Sequence, residues 1–414
     1  MKEVELTGPE GADPLAWTRE STPLLRGLAD DLRRAEPFAG MTAAVASHLE
    51  PKTGVFIETV AAGGADVLFT GSDPDSGHEA VIDHLDDQPG LEAFAAEGMT
   101  EAELDEQHHR LLDREPDLLF DDGCVLAAKL HDSHGDALDS VVGVAEQTTS
   151  GVHRLEAMAA DDVLAVPAFA VNHTPMKRRF DNVHGTGESA VSNVQLTANR
   201  IVSGETVVVA GYGHVGRGVA EKARGIGAHT VVVEVDPRKA LEAHMDGHRV
   251  ASMADAAADG DVFVTATGVR DVVREEHFRE MHDDVLLANA GHYDVEIDVD
   301  ALRGLAESTS TPRAGVTRFH LPDGRRLNLF AEGRLVNLSG PYSQGHPAAV
   351  MDSTFAMMTV AGRELVEADL SPAVHAVPDR LDREVARKKA DAVGVPVEDR
   401  TDEQAAYLDD WRRE

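Results

Sequence analysis

The hydrophobic positions of this chain fall into short runs that alternate between a helical and an extended period. Leu24, Leu25, Leu28 and Leu32 recur on one face of an acidic segment that reaches about Ala35, which predicts an amphipathic helix. Residues 41–47 (MTAAVAS) read as a small apolar strand ending at His48. Val55, Phe56 and Ile57 belong to the helix that follows, and residues 66–71 (DVLFTG) form a second strand. The stretch 71–109 is acidic and glycine-containing, and predicts loops with one helix. Residues 117–120 (DLLF) run as a strand straight into Asp121-Asp122-Gly123, and 163–171 are extended but broken by Pro167.

A second alternating block begins near Glu188. Residues 188–200 predict a helix, 206–210 (TVVVA) a buried strand, then a glycine loop, a helix to Gly227 and the strand 230–235 (TVVVEV). Further short strands are expected at 261–265, 284–289 and 334–338, with a helix after Pro347 and a charged tail ending AAYLDDWRRE. No repeat of fixed period is present. At 414 residues the chain exceeds one ordinary core. Regular β-α alternation with short β-rich runs predicts an α/β protein with two doubly wound parallel-sheet domains and a short C-terminal tail.

Composition narrows the classes. A hydrophobic content of 42% is globular, and no apolar run of membrane-spanning length occurs. The opening MKEVELTGPEGADPLAW lacks the apolar region of a secretory signal, so a cytoplasmic protein is expected. The single cysteine, Cys124, excludes an internal disulfide and a cysteine-rich zinc site, and no metal is expected. Against 38 basic residues stand 74 acidic ones, a net charge of −36 that would repel nucleic acid and anionic membranes. Only eight of the basic residues are lysine. An acidic, lysine-poor but well-patterned chain suggests work in concentrated salt, where at about 1 M the Debye length is about 3 Å.

The clearest chemistry is Gly211-Tyr212-Gly213-His214-Val215-Gly216, a G-x-G-x-x-G that follows a strand and opens a helix. The first glycine permits the tight turn, the second lets backbone approach a pyrophosphate, and the third lets helix and strand pack closely. Glu234 closes the next strand, where an acid accepts from the adenosine ribose and disfavours a 2′-phosphate, so NAD is expected over NADP. In the first half, His48 and Asp121-Asp122 follow strands, where ligands sit in open α/β sheets. A lone histidine is more often a core or surface residue, and paired aspartates at a strand end are more often a turn cap. Lys177, with Asp181 and Asn182 in NHTPMKRRFDN, stands out because lysine is rare here and its pKa, unlike that of arginine, is tuned by burial.

The strings SHLEPKT, LFDDG, EQTTSGVH, KRRFDN, VVVAGYGHVGRG, EVDP, NAGHYDVEID and EGRLVNL…GHP stand in this order between Ser47 and Pro347, and the chain thereby resembles the adenosylhomocysteinase family, from about Phe38 to Leu408. The resemblance implies tightly bound NAD and hydrolysis of S-adenosyl-L-homocysteine to adenosine and L-homocysteine. The steps implied are 3′-oxidation, elimination, water addition and re-reduction. It implies a substrate-binding domain over 1–185 completed by 347–378, an NAD domain over 186–346 and a tail over 379–414. Lys177 and Asp181 match the pair that holds the 3′-hydroxyl, and Asp122, His48 and His292 match the proton-transfer residues. Glu50, Lys52 and Gln147 match substrate-binding positions, together with Asp122, Lys177 and Asp181. Thr148, Thr149, Ser150, Asn182, Gly211, Gly213, His214, Val215, Gly216, Glu234, Lys239, Ala290, Gly291, His292, Asn337 and His346 match cofactor or closure positions. A homotetramer acting on a small molecule is also implied.

Four departures qualify the match. Gln147 replaces a frequent glutamate, and a neutral amide binds a hydroxyl but cannot take its proton. Glu50 and Lys52 stand where threonine and glutamate are frequent near the purine. Lysine cannot accept from an amino group, but it suits a carbonyl such as O6 of hypoxanthine. SGPYSQGHP is two residues longer than the usual loop before His346, and the tail lacks the basic, tyrosine-containing end. The alternatives are therefore S-inosyl-L-homocysteine hydrolysis by the same mechanism, a catalytically weak NAD-bound regulatory homologue, and, on fold analogy alone, a 2-hydroxyacid dehydrogenase.

Overall fold

The computed structural model describes residues 12–74, 77–291 and 293–411. His292, residues 1–11 of the opening read for a signal and residues 412–414 of the tail lie outside that set. Two sheets organise the chain. The first contains β1 (Thr42–Ala46), β2 (Asp66–Thr70), β3 (Leu91–Ala93), β4 (Leu118–Asp121), β5 (Gly143–Glu146) and β6 (Ala168–Ala170). The second contains β7 (Thr206–Ala210), β8 (His229–Val233), β9 (Arg249–Val250), β10 (Val262–Thr265), β11 (Val285–Asn289), β12 (Ser308–Arg313), β13 (Val316–His320) and β14 (Arg326–Phe330). A last short strand, β15 (Val374–His375), returns to the first sheet beside β6.

The first sheet has the order β15-β6-β5-β4-β1-β2-β3 and is parallel throughout. Its strand order reverses between β1 and β4. The second sheet, β12-β13-β14-β11-β10-β7-β8-β9, reverses between β7 and β10. Each reversal opens a crevice at the carboxyl ends of the strands, where an open α/β sheet binds its ligand. The strands read as continuous apolar runs because helices cover both faces, and the strand interiors are almost wholly buried.

The long helix Ala348–Glu367 also belongs with the first sheet. Phe355 stacks on Phe56 at 4.7 Å between ring centres, and Phe56 meets Phe120 of β4 edge-on at 5.3 Å. Among the described residues no helix is long and apolar enough to cross a membrane.

Several expectations need correcting. The stretch 71–109 holds two helices, Glu79–Asp86 and Glu101–Leu112, and the strand β3, rather than one helix. The second helix carries a complete capping box between Thr100 and Glu103, a legible signal that its acidic composition masked. Residues 334–338 form no strand, because the chain turns there after one bridge from Leu335 to Asn289. The edge of the second sheet is instead the antiparallel ribbon β12-β13-β14. Its outermost strand, STSTPR, is exposed along its whole length and offers no apolar period to read. The short β5 was likewise not anticipated. The helix expected from Glu188 starts earlier, as the last stage of a π-helix, Lys177–Thr186, that passes directly into Gly187–Ala198.

That continuous segment is clamped to the helix His214–Gly225 by glycines. A Cβ on Gly218 would lie 2.0 Å from the Val183 carbonyl oxygen, and one on Gly187 would lie 2.5 Å from the Gly218 carbonyl carbon. The obstacles are backbone atoms that cannot rotate away. Gly218→Ala is therefore expected to destabilise the fold by about 1–3 kcal/mol or more. Gly225→Ala, whose Cβ meets nothing within 4 Å, is expected to be neutral or stabilising. Denaturant midpoints measured in high salt compare the two, and equal midpoints would show that the crossing can relax.

Candidate functional site

The polar residues converge at the two crevices. At the carboxyl end of β4 the paired aspartates divide their work. Asp121 is buried, and its carboxylate accepts from the backbone N–H groups of Asp122, Val125, Leu126 and Ala127, capping the helix Val125–Ser133. Asp122 instead accepts from Gln147 Nε2 at 2.7 Å, with Ser47 Oγ 3.5 Å away. Gln147 Nε2 also reaches Ser47 Oγ at 3.2 Å. Two buried atoms beside this cluster, His48 Nδ1 and Gln147 Oε1, have no protein partner. Such atoms cost free energy unless a ligand or water satisfies them.

Glu146, between Asp121 and Gln147, serves the backbone. It accepts from Gly123 N, Cys124 N, Thr148 N and Thr148 Oγ1 at 2.7–3.1 Å. Burial first, and then the neighbouring Asp121 and Asp122, push its carboxyl well above the usual range. Thr148 is thereby committed, because its hydroxyl donates to Glu146 and caps the helix Thr149–Ala160 through Gly151 N.

The π-helix supplies the second half of the site. Its wide turn places residues i+4 and i+5 together beneath residue i, so one ammonium meets two acceptors. Lys177 Nζ lies 2.8 Å from Asp181 Oδ2 and donates to Asn182 Oδ1 at 3.2 Å. Asp181 is fully buried, and Thr354 Oγ1 donates to its Oδ2 at 2.6 Å. His346 Nδ1 stands 2.7 Å from its other oxygen, while His346 Nε2 meets Thr186 Oγ1 at 3.0 Å. Burial alone would raise the Asp181 carboxyl, but Lys177 and then His346 outweigh it and hold the group far below the usual carboxylate range.

A chain of amides runs on from here. Asn182 Nδ2 donates to Asn172 Oδ1 at 3.4 Å, and Asn172 Nδ2 donates to Thr149 Oγ1 at 2.8 Å. Thr149 accepts there and keeps its own proton to donate elsewhere. Ser150 Oγ lies 3.3 Å from Thr148 Oγ1.

Sequence reasoning passed over Ser47, Asn172, Thr186 and Thr354. Asn172 stood at a strand end inside a string already singled out, which was a usable signal. Thr354 meets Asp181 across 173 positions and had none.

Glu50 and Lys52 open the helix Pro51–Ala61 as an ion pair, and Lys52 Nζ also donates to the Gln344 carbonyl. Both side chains lie beneath the segment that leads to His346.

At the second crevice each glycine has a distinct reason. Gly211 has φ +95°, and a Cβ there would stand 2.6 Å from the Ala266 carbonyl oxygen. A Cβ on Gly216 would stand 2.0 Å from the Gly211 oxygen, so helix and strand need that glycine to touch. Gly213 is the informative one. An added Cβ meets no protein atom within 4 Å, and φ is −76°, so the protein's own packing does not demand glycine. The open space above it leaves room for a ligand to approach the backbone.

Glu234 accepts from Tyr212 N at 2.7 Å and Asp236 N at 2.9 Å, tying the glycine turn to the end of β8. His214 begins the helix behind the turn and is exposed, Val215 is half-buried, and Lys239 is exposed on the helix Pro237–Met245. Asn289 accepts from Thr265 Oγ1 and Gly291 N and donates to the Gly333 carbonyl. Ala290 is buried, and a Cβ on Gly291 would clash with the buried Glu296, whose carboxylate holds Thr267 and Gly268. Asn337 is fully buried and neither atom of its amide has a protein partner. An orphaned donor-acceptor pair beyond the carboxyl end of β11, a glycine with open space above it and an acid at the end of β8 together fit a dinucleotide. Among the described residues no group of three or more His, Cys, Asp or Glu could hold a metal ion.

Comparison with known proteins shows the family of the chain. The family described as S-adenosyl-L-homocysteine hydrolase matches residues 9–136, and its NAD-binding domain matches 182–343. An adenosylhomocysteinase of Haloquadratum walsbyi is 48% identical over 99% of this chain and 95% of that protein. An adenosylhomocysteinase of Halobacterium salinarum is 47% identical over 100% and 97%. An S-inosyl-L-homocysteine hydrolase of Methanosarcina mazei is 44% identical over 99% of each.

The depressed Asp181 carboxyl has a pH signature. Its contribution to stability is full above the ordinary aspartate range, about pH 4, and is lost as pH falls toward the folded value. Asp181→Asn leaves the buried Lys177 ammonium without its carboxylate and should cost about 3–5 kcal/mol near neutral pH. Parallel unfolding curves should show the gap between variant and wild type narrowing below about pH 4. A gap that is absent at neutral pH would show that the carboxylate is dispensable.

Proposed function

Because this chain belongs to the S-adenosyl-L-homocysteine hydrolase family, we propose that it cleaves S-adenosyl-L-homocysteine to adenosine and L-homocysteine. The observation that carries this reading is the buried Lys177–Asp181–Asn182 group beside a glycine loop fit for NAD. Bound NAD supplies a transient oxidation at the ribose 3′ carbon, which acidifies the 4′-hydrogen and is reversed at the end of turnover. The substrate domain is assigned to 1–185 with 347–378, the NAD domain to 186–346 and the tail to 379–414.

The protein's residues then take the following roles. Lys177 stabilises the 3′-oxygen as its proton leaves, and Asp181, kept ionised, orients the ammonium and the hydroxyl. Asp122 and His48, with His292, move protons at C4′ and at the C5′ leaving sulfur. Gln147 presents its free Oε1 to a ribose hydroxyl, since its Nε2 is spent on Asp122 and Ser47. Thr149 and Ser150 donate to the cofactor, whereas Thr148 supports them as a cap. Asn337 takes an amide partner on the cofactor, Glu234 takes its adenosine ribose, and the cover formed by His346 excludes water.

The inosyl substrate is the second reading, favoured by Lys52 and by the inosyl hydrolases among the relatives. Against it, Glu50 neutralises Lys52 and offers an acceptor to an adenine amino group. A cytoplasmic homotetramer working in concentrated salt completes the proposal. The charge of −36 and the similarity to proteins of Haloquadratum and Halobacterium support the salt reading, and the tetramer rests on the family resemblance alone.

Protein purified in KCl of roughly 2 M, chosen because such salt screens the self-repulsion, should release thiol from S-adenosyl-L-homocysteine with no NAD added. NAD should co-purify and gain the reduced-nicotinamide absorbance once substrate is present. Active protein free of NAD would overturn the mechanism. The adenosyl substrate should exceed the inosyl one in kcat/KM by tenfold or more, the worth of one or two hydrogen bonds to a charged group. The reverse order would reassign the substrate.

Lys177→Arg keeps the charge but not the compact, tunable ammonium, and should lower kcat on the order of 10²-fold. Unchanged turnover would reduce Lys177 to a structural charge.

A further inference from the structure

We propose that Lys52 is a positioning residue for the reaction, a latch that fixes His346 against Asp181 through the backbone of Gln344 and Gly345. The inference rests on the hydrolase reading above and deepens it. Lys52 begins a helix of the first sheet, yet its ammonium donates to the carbonyl of Gln344, 292 positions away, in the segment that returns from the second sheet. Glu50 neutralises that ammonium in the same place. Gly345 lies directly on the pair. It has φ +59°, and a Cβ there would stand 2.8 and 2.9 Å from the Glu50 carboxylate oxygens and 3.2 Å from Lys52 Nζ.

The next residue is His346, with Nδ1 at 2.7 Å from Asp181 and Nε2 at 3.0 Å from Thr186. The Gly345 N–H donates to the carbonyl of Asn337, whose own side chain has no protein partner. One ammonium therefore stands two residues from the contact that helps hold the buried Asp181. The same segment is tied to the orphaned amide assigned to the cofactor. A lysine that only read the purine would need neither the Gln344 carbonyl nor a glycine above it.

A latch and a base-reading lysine differ in what their loss changes. Loss of the latch loosens His346 whatever the base, so kcat falls in equal proportion for adenosyl and inosyl substrates. Loss of a base contact shifts KM and the ratio between the two. Thiol release should be followed for wild type, for Lys52→Ala and for Glu50→Gln/Lys52→Met, which leaves no lone buried charge. We expect kcat to fall on the order of 10- to 100-fold with both substrates, as misplacement of a site group does. Ethylammonium added to Lys52→Ala should restore several-fold of the loss.

Wild-type kcat in the double variant, or a change confined to KM or to the substrate ratio, would overturn the latch. Failure of wild type on every nucleoside thioether would instead overturn the hydrolase reading, so the two failures are distinct. Gly345→Ala, which pushes a methyl group into Glu50, provides a second variant with Lys52 intact. It should lower kcat in the same way, and unchanged kcat there also counts against the proposal.

Discussion

The site depends on one buried carboxylate. Asp181 has no exposed surface, and an ionised group removed from water survives only where partners repay its hydration. Its partners come from different parts of the chain: Lys177 from its own π-turn, Thr354 from the long helix near the C-terminus, and His346 from the segment leaving the second sheet. Replacing the π-turn by ordinary helix would leave the Lys177 ammonium over one acceptor instead of two. Moving the helix Ala348–Glu367 away from the first sheet would remove Thr354. The carboxylate thus requires the local distortion, the returning helix and the covering segment to be present together.

The two crevices are brought to one place by an absence of side chains. Gly187 and Gly218 let the segment after the π-helix cross the helix behind the glycine loop at backbone contact. That crossing holds the helix behind the Gly211–Gly216 turn against the segment that continues from Lys177. A ligand spanning both switch points then touches residues whose spacing is set by rigid elements rather than by loops.

Legibility followed the same physics. Strands with unbroken apolar runs, such as 206–210, and the glycine loop were readable because period and φ are local properties. The ribbon β12-β13-β14 was not, since its outer strand is exposed along its whole length and carries no apolar period. The stretch 334–338 misled for the opposite reason, as its apolar residues fill a turn rather than a sheet. Within the site, Lys177, Asp181, Asp122 and the glycines stood in ordered strings. The capping duties of Asp121 and Thr148 followed from helix starts that sequence marks only loosely. Thr354 was unreadable, because its hydroxyl has meaning only against a carboxylate far away in the chain.

The scarcity of lysine takes on a sharper meaning in three dimensions. Lys52 and Lys177 are buried, and Lys389 reaches the fully buried Asp352 while also donating to the Ala349 carbonyl. Each of these ammoniums serves two acceptors that converge on a point: Glu50 and the Gln344 carbonyl, Asp181 and Asn182, Asp352 and the Ala349 carbonyl. A guanidinium is planar and spreads its donors in a fork, so it suits flat, exposed carboxylates. The many surface pairs of this chain use it there, as in Arg326 with Asp283 and Arg238 with Asp236. A compact tetrahedral donor is needed where acceptors close around one atom in a confined space. In a chain that has otherwise turned to arginine, the lysines that remain inside mark the points where donor geometry, rather than charge alone, holds the site together.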